Sequence, residues 1–301
     1  MRKALIPLAL LAGPVLAQDV APLTEPETEL AFETEKTRMT VPVSVAGAGP
    51  YRFIIDTGAQ RTMISRQLAA ELNLPRGRRV GLTAMTGRAQ VDTVLVPSLQ
   101  VSSFGGERIE APTLERAHMG APGILGIDTL QDHAVAIDFD QGVMKVSPSK
   151  KRKGRARVSR DEVVVVAKSL FGQLVVTDAT YGNKRIRVIV DTGTEVSMGN
   201  EALRRLISRS KAPEQDIELV SVIGDKLVAG YTQIPRVKIG TVEFENLPVA
   251  FSAAAPFEVW GLKDKPALLL GMDALRMFRQ VHIDFANREL RLTMPKNVRR
   301  V

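Results

Sequence analysis

The chain carries three short patterns twice, in the same order, and this duplication constrains its fold more than any other feature. The second copies follow the first after 135, 145 and 146 residues, in the pairs Phe53–Ala59 (FIIDTGA) and Val188–Thr194 (VIVDTGT), Ile124–Asp128 (ILGID) and Leu269–Asp273 (LLGMD), and Ala136–Phe139 (AIDF) and His282–Phe285 (HIDF). Three landmarks in one order at similar offsets predict two copies of one fold within the chain.

Both copies are predicted to consist mostly of β-strands. Short runs of Val, Ile, Leu, Phe and Thr recur between Gly, Pro, Asn and Asp residues, which is typical of strands joined by turns. The clearest runs are Met39–Val45, Arg52–Ile55, Val91–Val96, Val135–Phe139, Val143–Val146, Val163–Val166 and Leu174–Thr177. The sequence therefore predicts an all-β protein with two similar halves.

Composition places the chain among folded proteins and excludes cysteine chemistry. A length of 301 residues suits about two domains, and 45% apolar with 25% charged residues is ordinary for globular chains. The chain has no cysteine. Disulfide scaffolds, cysteine nucleophiles, iron–sulfur clusters and thiolate zinc sites are excluded. The three histidines have no metal-ligand spacing, so we expect no metal site and no cofactor.

The first 36 residues are predicted to direct export and then to form a leader. Arg2 and Lys3 precede an apolar stretch, and Val15-Leu16-Ala17 places small residues before a cut at Gln18, as in a signal peptide. We therefore expect residues 1–17 to be removed and the protein to be periplasmic or secreted. Residues 18–36 are rich in acidic residues and are predicted to be a flexible leader, with a strand beginning near Leu30.

A basic linker is predicted between an N-terminal half at 37–148 and a C-terminal half at 161–295, with a tail at 296–301. The net charge of +8 comes largely from seven basic residues, Lys150, Lys151, Arg152, Lys153, Arg155, Arg157 and Arg160. No aromatic residue interleaves this run, which argues against a nucleic-acid partner. The linker 149–160 is interpreted as solvated chain, a weak contact with anionic envelope surfaces, or a processing site.

The repeated Asp-Thr-Gly carries the chemistry. Each copy follows an apolar strand, and a tight turn at Gly58 or Gly193 leaves the preceding carboxylate exposed at the end of the strand. Two halves related by a pseudo-two-fold axis bring Asp56 and Asp191 face to face, where they share one proton. The charged member can activate a water while the neutral member protonates a carbonyl oxygen. The alternative is a plain strand-to-turn junction, capped by Asp and turned by Gly.

These motifs resemble those of the aspartic peptidases, specifically the retropepsin-like branch with two copies fused in one chain, as in bacterial periplasmic aspartic peptidases. The resemblance covers about residues 37–147 and 160–294. It implies a bilobal acid-protease fold of two β-barrel halves, with Asp56 and Asp191 as the catalytic dyad. It also implies that Thr57 and Thr192 hydrogen-bond across the pseudo-two-fold axis and hold the loops rigid.

The resemblance assigns supporting residues to each half. Ala59 and Thr194 end the catalytic loops, and four residues are expected to pack beneath them, namely Leu125, Gly126, Leu270 and Gly271. Short helices are expected at about Thr129–Asp132 and Ala274–Phe278. The candidates for flaps that close over bound peptide are Met85, Thr86 and Gly87 in the first half and Ile223, Gly224 and Asp225 in the second. Their alternative is an ordinary exposed hairpin.

The two halves differ near the dyad. Gln60, Arg61 and Glu195 are unusual for the family. They either tune specificity or indicate that one half is diverging. A Thr194 hydroxyl that donates to Asp191 would favour its charged form, whereas Ala59 offers no such donor. We therefore expect Asp56 to carry the shared proton.

The function implied is an exported aspartic endopeptidase that binds a protein or peptide substrate as an extended strand. Because one chain supplies both halves, a monomer is expected. One alternative is a catalytically inactive peptide- or protein-binding module on the same fold. Another is an envelope scaffold that docks through the basic linker.

Overall fold

The computed structural model describes residues 28–31, 33–35, 38–101, 104–154, 158–159, 161–170, 173–207 and 213–295. The predicted signal peptide, the leader before residue 28, part of the basic linker and all of the tail at 296–301 lie outside the described residues. None of the helices within the described residues is long and apolar enough to cross a membrane.

Strands dominate the fold, and the helices are short. The strands are Thr28–Ala31 (β1), Glu33–Glu35 (β2), Arg38–Val45 (β3), Ala48–Ile55 (β4), Met63–Ser65 (β5), Arg76–Ala84 (β6), Gly87–Val101 (β7), Phe104–Leu114 (β8), Gly123–Leu125 (β9), His133–Asp138 (β10), Val143–Pro148 (β11), Glu162–Leu170 (β12), Gln173–Tyr181 (β13), Lys184–Val190 (β14), Met198–Gly199 (β15), Gln215–Val220 (β16), Lys226–Ile239 (β17), Val242–Phe251 (β18), Ala267–Leu270 (β19), Gln280–Asp284 (β20) and Glu289–Thr293 (β21). The helices are Arg66–Glu71 (α1), Arg116–Met119 (α2), Ile127–Leu130 (α3), Glu201–Ile207 (α4), Ala255–Val259 (α5) and Met272–Leu275 (α6).

The N-terminal half is a strongly curved sheet. Its strands follow the order β2-β3-β4-β9-β5-β8-β7-β6, and a further pairing of β3 with β7 closes the sheet towards a barrel. Alternate residues of β3 point into the core, where Met39, Val41, Val43 and Val45 are fully buried. This alternation is what a strand with one face on the core requires.

The C-terminal half repeats this order. Its strands run β12-β13-β14-β19-β15-β18-β17-β16, with the matching additional pairing of β13 with β17. Since two halves of different sequence adopt one strand order, the duplication seen in the sequence is a duplication of the fold. The architecture is all-β and bilobal, as expected. Helices α3 and α6 begin two residues before their predicted positions, directly after Gly126 and Gly271.

A sheet shared by both halves joins them. Strand β10 pairs antiparallel with β20, so that Val135 lies opposite Ile283 and Ile137 opposite Val281. These strands contain most of the third repeated pattern, and Ala136 lies directly opposite its counterpart His282 across the pseudo-two-fold axis. The shared sheet runs β1-β11-β10-β20-β21-β12.

The predicted leader 18–36 contributes strands to both sheets. Strand β1 pairs with β11, and β2 pairs with β3. In the second half β12 makes both equivalent pairings, with β21 and with β13. Within the described residues, paired backbone is thus present from Thr28 onwards, before the boundary placed at residue 36. Composition suggested a flexible segment, but the backbone of β1 pairs with β11, which lies more than 100 residues away in sequence.

Candidate active site

Each Asp-Thr-Gly follows the buried end of a strand. The last three residues of β4 and of β14 are buried, and Asp56 and Asp191 come directly after them. The Asp56 N–H donates to the Leu125 carbonyl and the Asp191 N–H to the Leu270 carbonyl, both at 3.0 Å. Parallel pairing of β4 with β9 and of β14 with β19 supplies those carbonyls. The second repeated pattern therefore fixes the backbone of the first.

The two glycines let the carboxylates face each other. A Cβ placed on Gly58 would lie 2.5 Å from Cγ of Asp191, and one on Gly193 would overlap Asp56 in the same way. Any side chain at either position would displace the opposite carboxylate. The structure thus brings Asp56 and Asp191 together, each against the glycine turn of the other half.

Four hydrogen bonds made by Thr57 and Thr192 lock the two loops together. The Thr57 hydroxyl donates to the Val190 carbonyl and the Thr192 hydroxyl to the Ile55 carbonyl, both at 2.9 Å. Each threonine N–H donates to the hydroxyl of the other at 3.1 Å. Both side chains are buried. Because each hydroxyl acts as donor and acceptor across the axis, the spacing of the two carboxylates is held by backbone on both sides.

The two carboxyl groups differ in environment. Asp191 is 5% exposed, whereas Asp56 is half-buried and accepts the N–H groups of Gly58 and Ala59 at 2.8 Å. Burial, and then the charge of Asp56, raise the pKa of Asp191 well above its ordinary value. Asp191 is therefore the member that keeps the shared proton.

The expectation that Asp56 holds the proton is wrong. It depended on a Thr194 hydroxyl directed at Asp191, but that hydroxyl donates to the Val196 carbonyl at 3.0 Å. With that donor absent, burial decides the order of titration. The sequence shows that residue 194 has a hydroxyl, but it does not show where that hydroxyl points.

Hydroxyl–carboxylate pairs beneath the loops were not anticipated. In the first half the Thr62 hydroxyl donates to Asp128 at 2.7 Å and accepts the Gly126 N–H at 3.0 Å. Ser197, Asp273 and Gly271 form the same arrangement in the second half, at 2.7 and 3.0 Å. Asp128 and Asp273 end the second repeated pattern, so their repetition was the available signal.

Gly126 and Gly271 lie where a side chain has no room. A Cβ on Gly126 would lie 2.5 Å from the Arg61 carbonyl carbon, and one on Gly271 would lie 2.9 Å from that of Val196. The loops after the dyad therefore rest directly on the glycine backbone. Leu125 and Leu270, which precede these glycines, are fully buried.

The flap candidates lie at the tips of the hairpins β6–β7 and β16–β17. Of the six, only Met85 lines the cavity above the dyad; the other flap residues that line it include Leu82, Ala84, Ser221 and Val222. The reason is that the inward-facing positions precede the turns, whereas most of the predicted residues form the turns themselves.

Each flap tip contacts the opposite half. The Met85 carbonyl accepts the Ala255 N–H at 3.1 Å, and Ile223 packs on the apolar cluster of the N-terminal half. The Thr86 hydroxyl donates to Asp225 at 3.4 Å, which links the two tips. Both flaps thus cover the dyad and cross between the halves.

Comparison with protein families agrees with this geometry. Residues 41–132 match the family model described as "gag-polyprotein putative aspartyl protease", and residues 177–274 match the model described as "Aspartyl protease". The two matches lie in tandem and include Asp56 and Asp191. The chain belongs to the retropepsin-like aspartic peptidases. Its two family domains are fused in one polypeptide. No curated protein matches the chain.

The cavity of this retropepsin-like chain measures about 500 Å³ between the dyad and the flaps. Gln60, Arg61 and Glu195, which the sequence marked as unusual, all line it. Trp260 is buried, with its ring edge-on to Phe257 at 6.3 Å, and it also lines the cavity.

Gln173 was missed. Its amide donates to the Gly58 carbonyl at 2.8 Å, and the side chain is fully buried. This residue of the C-terminal half therefore supports the Asp-Thr-Gly loop of the N-terminal half. No repeated pattern includes it, so the sequence held no signal for this role.

Proposed function

We propose that the chain is an aspartic endopeptidase that hydrolyses peptide bonds with a water held between Asp56 and Asp191. One observation carries the proposal: two carboxyl groups face each other across the axis, and burial keeps the proton on Asp191. A neutral acid beside a charged base is what this hydrolysis requires.

The reaction follows from that difference. Charged Asp56 takes a proton from the water as its oxygen attacks the carbonyl carbon of the peptide bond. Asp191 gives its proton to the carbonyl oxygen, which produces a tetrahedral diol. The diol then breaks its C–N bond as Asp56 passes its proton to the leaving nitrogen, and one hydroxyl proton returns to Asp191. The products are an acid and an amine, and the dyad again holds one proton.

The substrate is proposed to be a protein or peptide segment in extended form. The cavity lies between the catalytic loops and two hairpins, so an extended chain can lie along the gap between the halves. Since Asp56 and Asp191 both belong to one polypeptide, the protein is proposed to act as a monomer.

Cleavage of unfolded casein by residues 18–301 tests the proposal, scanned from acid to neutral pH. Asp56→Asn and Asp191→Asn should each lower kcat by about 10²–10⁴-fold, because each removes one step of proton transfer. Asp140→Asn is the matched control: this exposed aspartate, paired with Arg279, lies on the turn after β10. Peptide binding without cleavage at any pH would instead support the inactive binding module.

Export is proposed from the sequence of residues 1–17, which lie outside the described residues. Mass spectrometry of the protein recovered from cells should find an N-terminus at Gln18. An N-terminus at Met1 would contradict the proposal.

Weak contact of the basic linker with anionic surfaces is also proposed. Lys150, Lys151 and Lys153 are exposed, while Arg152 is anchored to Glu289 at 2.6 Å. Sedimentation with vesicles of anionic lipid should show salt-sensitive binding that Lys150→Gln/Lys151→Gln/Lys153→Gln removes. Equal binding of this variant would contradict it.

A further inference from the structure

The two halves contribute different ionisable side chains to the cavity wall. Arg61 and His118 belong to the N-terminal half, whereas Glu195 and Glu218 belong to the C-terminal half. The halves are copies of one fold, so this difference comes from their side chains alone. At equivalent positions of the repeat, Gln60 corresponds to Glu195 and Arg61 to Val196.

The positive charge of Arg61 is not matched by a carboxylate. Among the described residues, the only hydrogen bond of its guanidinium goes to the backbone carbonyl of Glu110. The Glu110 carboxylate is engaged elsewhere, with Arg78 and with the Thr93 hydroxyl, and these contacts lower its pKa to about 2. A guanidinium has five N–H donors, so Arg61 retains donors for a carboxylate that enters the cavity.

The C-terminal half also contributes an apolar wall. Val196, Met198, Val259 and Trp260 line it, and Met198 and Trp260 belong to the buried apolar cluster beneath. Of the acidic groups, Glu218 is paired with Lys226 at 2.8 Å. A large apolar side chain fits this wall, whereas a charged acidic one would lose hydration beside Trp260.

We propose that these differences select the substrate and fix its direction. The cleft takes peptides with an acidic side chain beside Arg61, on one side of the scissile bond, and a large apolar side chain beside Trp260 on the other. A cleft with two equivalent ends would accept a peptide in either direction. This inference rests on the proposed function, since it names the substrate class of the same site.

Matched fluorogenic peptides test the preference for an acidic residue. Each pair has Glu or Gln at one position, and the position is moved stepwise along both sides of the scissile bond. The wild type should cleave the Glu peptide with a kcat/KM about tenfold higher than the Gln peptide, at a position on one side only.

Variants at Arg61 distinguish an effect of its charge on substrate preference from a structural role of the side chain. Arg61→Gln keeps a donor for the Glu110 carbonyl but removes the charge, and the Glu-to-Gln ratio should fall to about one. Arg61→Lys should retain part of the preference. Arg236→Gln, an exposed arginine paired with Glu243 outside the cavity, should leave the ratio unchanged. A purely structural role would lower cleavage of both peptides and leave their ratio as it was.

An exchange between the halves makes the test directional. The variant Gln60→Glu/Arg61→Val/Glu195→Gln/Val196→Arg exchanges the two residue pairs, and the acidic preference should move to the other side of the scissile bond. Cleavage with equal rates for Glu and Gln peptides would overturn this inference and leave the proposed function intact. Absence of cleavage of every peptide and of casein would count against the proposed function. If the exchange variant does not fold, Arg61→Gln decides.

Discussion

The two Asp-Thr-Gly loops have the same backbone but hold their aspartates in different surroundings. In both, the aspartate N–H donates to a buried carbonyl and the following glycine N–H donates to the carboxylate. Asp191 is nevertheless almost fully buried, and Asp56 is only half-buried. The comparison teaches that the repeated motif sets where the two acids lie, whereas the side chains and flaps around them decide which acid holds the proton.

The largest expected effect is on the pH dependence of stability when the buried acid Asp191 is replaced. Above about pH 4 the unfolded chain ionises residue 191, while the fold keeps it protonated because its pKa is raised. Wild-type stability is therefore lost as pH rises from the unfolded pKa towards the folded one. Asp191→Asn removes this loss. The free energy of unfolding of the variant, relative to that of the wild type, should therefore rise by about 1.4 kcal/mol per pH unit in that window. Urea unfolding at several pH values measures it.

Asp56→Asn is the matched control for that experiment. It removes the neighbouring charge that helps to raise the pKa of Asp191, so the pH dependence assigned to Asp191 should weaken and not disappear. An advantage of Asp191→Asn that does not change between pH 4 and 7 would contradict the assignment of the proton.

The second effect tests the symmetric part of the site. Thr57→Ala and Thr192→Ala should each lower the free energy of unfolding by about 2–4 kcal/mol, because each leaves a buried N–H and a buried carbonyl unpaired. The double variant should cost less than the sum, since the two hydroxyls share one network. Denaturant unfolding measures all three.

Thr57→Ser and Thr192→Ser keep the hydroxyl and serve as controls with small losses. Unequal losses for the two alanine variants, beyond about 1 kcal/mol, would mean that the halves do not contribute equally to the lock.

The duplication explains why much of this site was predictable. Residues 53–59, 124–128 and 136–139 recur in order, and their copies form both Asp-Thr-Gly loops, the strands that support them and the strands that join the halves. Local patterns of this kind depend on residues that are adjacent in the chain. The fold class and the facing of Asp56 and Asp191 followed from them.

Features that depend on distant contacts were not predictable. The direction of the Thr194 hydroxyl, the crossing of each flap to the other half and the support of Gly58 by Gln173 all arise from tertiary packing. The pairing of Thr28–Ala31 within the predicted leader has the same cause, because β1 pairs with β11 more than 100 residues away.

The third effect compares the two flap tips. Gly87 and Gly224 both have positive φ, at 154° and 94°, so alanine is strained at each. A Cβ on Gly87 would meet nothing within 4 Å, whereas one on Gly224 would lie 2.7 Å from Nδ1 of His118. Gly224→Ala should therefore lower kcat/KM about tenfold further than Gly87→Ala, since it also displaces the tip from its seat on the N-terminal half.

His118→Ala added to Gly224→Ala should recover the part of this loss that comes from the contact. The strain of a positive φ would remain, so the double variant should behave like Gly87→Ala. No recovery would mean that His118 does not seat the flap.

The smallest expected effect is a difference in stability between variants of the two hydroxyl groups beneath the loops. The Thr62 hydroxyl contacts Asp128, the Gly126 N–H and the Thr129 hydroxyl, whereas the Ser197 hydroxyl contacts only Asp273 and the Gly271 N–H among the described residues. Thr62→Val and Ser197→Ala each leave a buried glycine N–H unpaired and should cost about 1–2 kcal/mol. The valine variant should cost about 0.5–1 kcal/mol more, because Thr129 also loses a partner. Thermal unfolding of both variants measures this difference, and a larger loss for Ser197→Ala would reverse the ranking of the two supports.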